Sequence, residues 1–254
     1  MTSYIKVLRL PLVMLAGLLC LVGFKISQGK FSVFLPTIFT IFLAGTCMVQ
    51  NDWRDRNHDT LKGKYFASNN EFAFLAFLLV LWSATIALAV MLLREQAEFG
   101  WLAMAGIFSG LIYSETRKIP LIPALLVALT SASPVLFATL ISYSPIVLFL
   151  FLSTTLLIFG REILKDVDDM NYDKGYKWTL PVSVGSKKAK VIAGIFVLSA
   201  SVISVALSLK IILGVTPLIF SVIYLLTDKS HTTAKTMIDI GISLTLASLF
   251  FFGI

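Results

Sequence analysis

Charge is what this sequence has least of. Only 14% of its 254 residues are Asp, Glu, Lys or Arg, against 57% hydrophobic residues and a mean hydropathy of +0.90. A soluble domain carries about a quarter charged residues, so a polytopic membrane protein is implied. Cysteine is nearly absent too. Cys20 and Cys47 both fall inside apolar runs, which favours buried free thiols over a disulfide or a metal-binding pair. With only His58 and His231 besides, the chain lacks the ligands of a zinc site. There is no low-complexity segment and no acidic or basic tail, and nucleic acid is not an expected partner.

The rest is apolar sequence, in runs long enough to cross about 30 Å of hydrocarbon. They lie near 8–28, 33–51, 72–93, 99–115, 119–142, 145–164, 189–208, 209–227 and 235–254. Nine transmembrane helices in a single domain, 1–254, are expected, because the longest connections, 52–71 and 165–188, leave no room for a soluble one. The first run is too long, and lacks a convincing small-residue cleavage site, for a signal peptide that is removed. Of the 21 Lys and Arg residues, all but Lys25, Lys30, Arg94 and Lys210 fall on the side of the N-terminus. By the positive-inside rule that side is cytoplasmic and the C-terminus lies opposite. In a prokaryote this means the plasma membrane.

Two acidic stretches break the apolar pattern. NDWRDRNHD follows the second run and sets Asn51, Asp55 and Asp59 at intervals of four, one face of a helix. KDVDDMNYD follows the sixth and sets Asp166, Asp169 and Asp173 at i, i+3 and i+7, again one stripe, with Asp168 off it. Both belong to the same side of the membrane. One such stretch reads as solvated loop charge; two matched stripes ask for a cation between them. An EF-hand is excluded, since Asn171 stands where its glycine belongs and Lys177 where its last glutamate belongs. Hard oxygen ligands suit Mg2+, with Mn2+ as an alternative, bound through carboxylates and phosphate oxygens. Lys62, Lys64, Arg117, Lys118 and Lys177 either contact a diphosphate or serve only as positive-inside markers. Beside an apolar interior, the chemistry that fits is ionisation of an allylic diphosphate.

These residues resemble the UbiA superfamily of intramembrane prenyltransferases. Asn51, Asp52, Asp55 and Asp59 match its N-D-x-x-D-x-x-x-D motif, and Asp166, Asp169 and Asp173 match D-x-x-D-x-x-x-D. TLPVSVG at 179–185 is similar to the T-L-P-V-x-x-G of many members, and YSETRK at 113–118 resembles the Y-x-x-x-K element. The segment after Asp59 lacks the family's R-P-rich stretch, and Tyr172 replaces a familiar glycine. The resemblance implies an all-α bundle of nine transmembrane helices with a central cavity open to the cytoplasmic side. It implies a donor isoprenyl diphosphate, a lipophilic acceptor and the lipid bilayer as partners. Asn51, Asp55, Asp59, Asp166, Asp169 and Asp173 become the expected metal ligands. Asn51, Lys62, Lys64, Arg117, Lys118 and Lys177 are expected at the diphosphate, and Asp55, Asp169 and Tyr113 at the reaction.

The second motif, with Lys165 before it, looks most like the branches prenylating geranylgeranylglyceryl phosphate or homogentisate. A phosphorylated acceptor would find charge at Arg117, Lys118, Lys174 and Lys177. Aromatic prenylation, intramolecular cyclisation and, outside enzymes, a cation transporter remain open on the residues alone. Tyr113 is either an orienting group or an interface anchor, and Asp239 in the last run either a functional carboxylate or one near the interface.

Overall fold

A backbone in lipid must satisfy its own hydrogen bonds, and the apolar runs do so as helices. The computed structural model describes residues 2–27, 33–113, 115–116, 119–227 and 230–252, and every element among them is helical. The principal helices are α1 (Leu10–Ser27), α2 (Phe34–Arg54), α3 (Glu71–Glu95), α4 (Ala97–Tyr113), α5 (Ile122–Ala132), α6 (Pro145–Asp173), α7 (Ser186–Leu207), α8 (Ile212–Leu226) and α9 (His231–Phe252). Short helices at Thr2–Leu8, Arg56–Asp59, Phe66–Asn69 and Leu180–Val184 lie between them, and a 3-10 segment, Ser133–Ala138, extends α5. Among the described residues seven helices are long and apolar enough to cross a membrane; α4 and α5 are apolar but shorter.

Each principal helix packs on its neighbours in the chain, and α9 returns to α1, closing a ring. Small residues allow the closest approaches. A Cβ on Gly214 would meet the Thr245 backbone nitrogen at 2.5 Å, so α8 and α9 touch almost backbone to backbone. Polar side chains brace the ring where lipid offers no water. Trp82 of α3 donates to Gln50 at 2.8 Å, and Gln50 donates to the Gly110 carbonyl of α4 at 3.1 Å, fixing the rotation of α2 just before Asn51. Ser153 and Ser204 meet at 2.7 Å between α6 and α7.

Two helices run past their apolar stretches. α6 has 29 residues, about 43 Å at 1.5 Å per residue, so its acidic end projects beyond about 30 Å of hydrocarbon. The apolar run expected over 145–164 thus continues as one helix through the second motif. α2 ends at Arg54, and Asp55 occupies the break before Arg56–Asp59. Helical turns persist across that break, with Asp55 N–H on Asn51 O at 2.9 Å and Asp59 N–H on Asp55 O at 2.7 Å. The first acidic stripe therefore keeps its face although its helix is jointed.

Candidate active site

The two acidic stripes line one polar cavity of about 350 Å³. Asn51, Asp55 and Asp59 stand on one wall and Asp166, Asp169 and Asp173 on the other, with Lys62, Lys64, Tyr113 and Lys177 also lining it. Arg117 and Lys118 lie outside the described residues. Lys174, offered by the sequence for a phosphorylated acceptor, is exposed and is not part of the lining.

The stripes are linked by an exchange of lysines. Lys62, just after the first motif, reaches Asp169 of the second at 2.9 Å and lies 4.0 Å from Asp173. Lys177, just after the second motif, reaches Asp55 of the first at 3.0 Å, and the Tyr176 hydroxyl donates to the same carboxylate at 3.2 Å. Gly175, with φ of 83°, turns the chain between Asp173 and Lys177, and Gly63, with φ of 73°, ends the 3-10 turn that carries Lys62, since left-handed backbone costs little only without a Cβ. Burial opposes the charge on Lys62, but the hydrogen bond and charge of Asp169, with Asp173 and Asp59 behind it, outweigh that and raise its pKa above the usual lysine value.

The remaining partners define separate roles. The Tyr113 hydroxyl donates to Asn51 Oδ1 at 2.5 Å, which ties Tyr113 to the first motif. His58 stacks on Tyr176 with ring centroids 4.0 Å apart, and its Nε2 sits 3.6 Å from Asp173 Oδ1. That oxygen is buried without a hydrogen-bond partner. Asp168, off the stripe as the sequence spacing places it, reaches sideways to Lys235 and, at 2.7 Å, to His231 of α9. Asp239 forms an ion pair with Arg161 across α6 and α9.

Among the described residues no three His, Cys, Asp or Glu side chains converge on one point as a preformed metal cluster. The two lysines stand among the carboxylates instead. The donor chemistry nevertheless fits Mg2+: the facing walls offer carboxylate and amide oxygens only, and Asp173 Oδ1 has an unused acceptor.

Below the polar cavity lies a second one of about 460 Å³, lined mainly by apolar side chains such as Leu19, Phe39, Leu43, Phe137 and Leu246. Arg9, Asn51, Tyr113, Val127, Glu162, Lys165 and Lys235 line both, forming a neck between them. A charged mouth over an apolar chamber matches a ligand with a polyanionic head and a hydrocarbon tail. The model of the UbiA prenyltransferase family matches residues 10–247.

The chain belongs to the UbiA prenyltransferase family.

Within that family it is similar to a digeranylgeranylglyceryl phosphate synthase of Pyrococcus furiosus, 37% identical over 82 residues, 32% of this chain and 30% of the relative. The match thus spans under a third of that protein's length. Solved UbiA structures share the fold. A UbiA homologue of Aeropyrum pernix K1 superposes with a TM-score of 0.78 at 15% identity, covering 94% of this chain and 96% of its own. A UbiA homologue of Archaeoglobus fulgidus bound to GPP and Mg2+ gives 0.69 at 17% identity, covering 97% and 98%.

Proximity in sequence made the two motifs legible but hid Arg9, Glu162, Lys235, Tyr176 and the Arg161–Asp239 pair. The signal for the charged ones was an ionisable residue within or beside an apolar run, while Tyr176, in the loop after Asp173, carried none.

Proposed function

We propose that this UbiA-family protein transfers a farnesyl or geranylgeranyl group from its allylic diphosphate to a hydroxyl of a polyprenylglyceryl phosphate, forming an ether. The observation that carries this reading is the lysine-bridged pair of acidic stripes at the mouth of an apolar chamber. The name of the Pyrococcus furiosus relative supports the acceptor class, and the GPP and Mg2+ bound by the Archaeoglobus fulgidus homologue support the donor class and the metal.

In this reading Lys62 and Lys177 hold the diphosphate by charge-assisted hydrogen bonds. Asn51, Asp55, Asp59, Asp166, Asp169 and Asp173 would hold Mg2+, and the bound ion would supply positive charge to offset that of the departing diphosphate. Lys64, with Arg117 and Lys118, adds positive charge to that side. Tyr113, steadied by Asn51, orients the donor at the neck, while the chamber receives the prenyl tail and excludes water from the allylic cation. The carbon–oxygen bond to the diphosphate breaks, the acceptor oxygen bonds to that carbon, and the hydroxyl proton passes to the departing diphosphate. The site lies on the cytoplasmic side of a protein with nine crossings, in a prokaryote those of the plasma membrane, with α4 and α5 completing the seven longer spans.

Purified protein with Mg2+, farnesyl or geranylgeranyl diphosphate and a panel of acceptors tests this by mass spectrometry of products. An ether lipid from geranylgeranylglyceryl phosphate is expected. Turnover with homogentisate or 4-hydroxybenzoate and none with the glyceryl phosphate would reject the acceptor while leaving prenyl transfer intact. A prenyl diphosphate consumed without any acceptor, giving a cyclic hydrocarbon, would reject transfer itself.

A further inference from the structure

The neck between the cavities holds three cations that donor binding does not use. Arg9 precedes α1, Lys165 sits in α6 and Lys235 in the first turns of α9, and all three line both cavities. Lys62 and Lys177 line the polar cavity and not the chamber. The two groups of cations therefore belong to different levels of the site.

Among the described residues each neck cation is ion-paired with a carboxylate: Asp52 at 2.8 Å for Arg9, Glu162 for Lys165 and Asp168 for Lys235. A guanidinium has five N–H donors and an ammonium three, so each keeps donors for a ligand. Their side chains remain 38%, 39% and 24% exposed, enough to be reached from the cavity. Arg9 is also held in left-handed backbone, with φ of 49°. A non-glycine residue pays for that conformation, and such strain collects where a side chain must be aimed. Leu121, with φ of 68°, is the other such residue among those described, and it too lines the polar cavity.

We propose that Arg9, Lys165 and Lys235 form a phosphomonoester subsite at the neck, which takes the phosphate of the acceptor. This rests on the prenyl-transfer reading above and replaces the exposed Lys174 as the source of charge for that group. A phosphate dianion can meet these three cations, which arrive from the turn before α1, from α6 and from α9, with the acceptor's free hydroxyl facing the donor. The subsite is the specificity element: it separates a glyceryl phosphate from the same lipid without phosphate.

The test compares wild type, Arg9→Gln and Lys235→Gln with geranylgeranyl diphosphate, Mg2+ and either geranylgeranylglyceryl phosphate or dephosphorylated geranylgeranylglycerol. Losing one charged contact should raise KM for the phosphorylated acceptor about tenfold or more, with KM for the donor changed less than about twofold. The dephosphorylated acceptor should be equally poor with all three proteins. Lys235→Arg should restore most of the loss. Because Lys235 also ties α9 to α6, Asp168→Asn/Lys235→Gln removes both charges together and should show the same KM shift without an orphaned carboxylate. A rise in donor KM equal to that in acceptor KM, or a phosphate preference kept by the variants, overturns the subsite alone. Wild-type turnover of an aromatic acceptor but not of the glyceryl phosphate overturns the acceptor reading, and the subsite with it.

Discussion

Asp55→Asn removes one charge at nearly constant volume from a carboxylate that is 4% exposed. Two consequences follow from its surroundings. Lys177, 3.0 Å away with a side chain only 18% exposed, loses its ion-pair partner and keeps only the weaker attraction of Asp173 and Asp166. Asparagine can still accept hydrogen bonds from Lys177 and Tyr176, so the stability cost should be about 1–3 kcal/mol, the range for a weakened buried contact to a charged group. That lowers the melting temperature by roughly 2–12 °C in a chain of this size. The second consequence is catalytic. If Asp55 supplies an oxygen to Mg2+ beside the departing diphosphate, turnover should fall about 10²-fold or more, roughly 2.7 kcal/mol in the barrier. Thermal unfolding in detergent reads the first effect and single-turnover prenyl transfer at saturating Mg2+ reads the second. Lys177→Gln provides the comparison, since it breaks the same ion pair but keeps the carboxylate. Turnover of Asp55→Asn within about threefold of wild type, with the melting shift present, would leave Asp55 as a partner of Lys177 and nothing more.

Asp169→Asn should likewise cost about 10²-fold in turnover, whereas Asp168→Asn, which loses its tie to Lys235 and His231, should chiefly lower the melting temperature; equal turnover losses would refute the division of the two residues between faces. EDTA should abolish transfer, and either Mg2+ or Mn2+ should restore it; activity that persists after chelation would remove the metal from the reading. Single cysteines at Ser68 and Glu98 should label from opposite sides of the membrane, and labelling of both from one side would reject the nine crossings.

The helices were readable because apolar runs of membrane length have few alternatives, and the acidic stripes because intervals of three and four keep one face. Both survive in the structure, even where α2 breaks at Asp55. What could not be read is which residue on one helix meets which on another. Arg161 and Asp239 are 78 positions apart, and Lys177 and Asp55 are 122 apart. Such pairings depend on the rotation of each helix in the ring, and helices that are apolar on nearly all sides carry little sign of their rotation. The same reasoning explains why Lys62, Lys177, Arg9 and Lys235 looked alike in sequence. Each falls where the positive-inside rule alone would account for a lysine or arginine. Only the fold divides them into cations that bridge the stripes and cations that line the neck.

The two halves of the site differ in their tolerance of inserted or deleted residues. α6 is continuous from Pro145 to Asp173, so one residue added before Asp166 would swing the whole second stripe by about 100° and turn its carboxylates off the cavity. The first stripe ends within a short helix, after which come a 3-10 turn and the left-handed Gly63. One residue added between Gly63 and Phe66 would be absorbed by that loop without moving Asn51, Asp55 or Asp59. Length changes that adapt this scaffold to new head groups should therefore accumulate after the first motif and after Asp173, leaving the interior of α6 fixed in register.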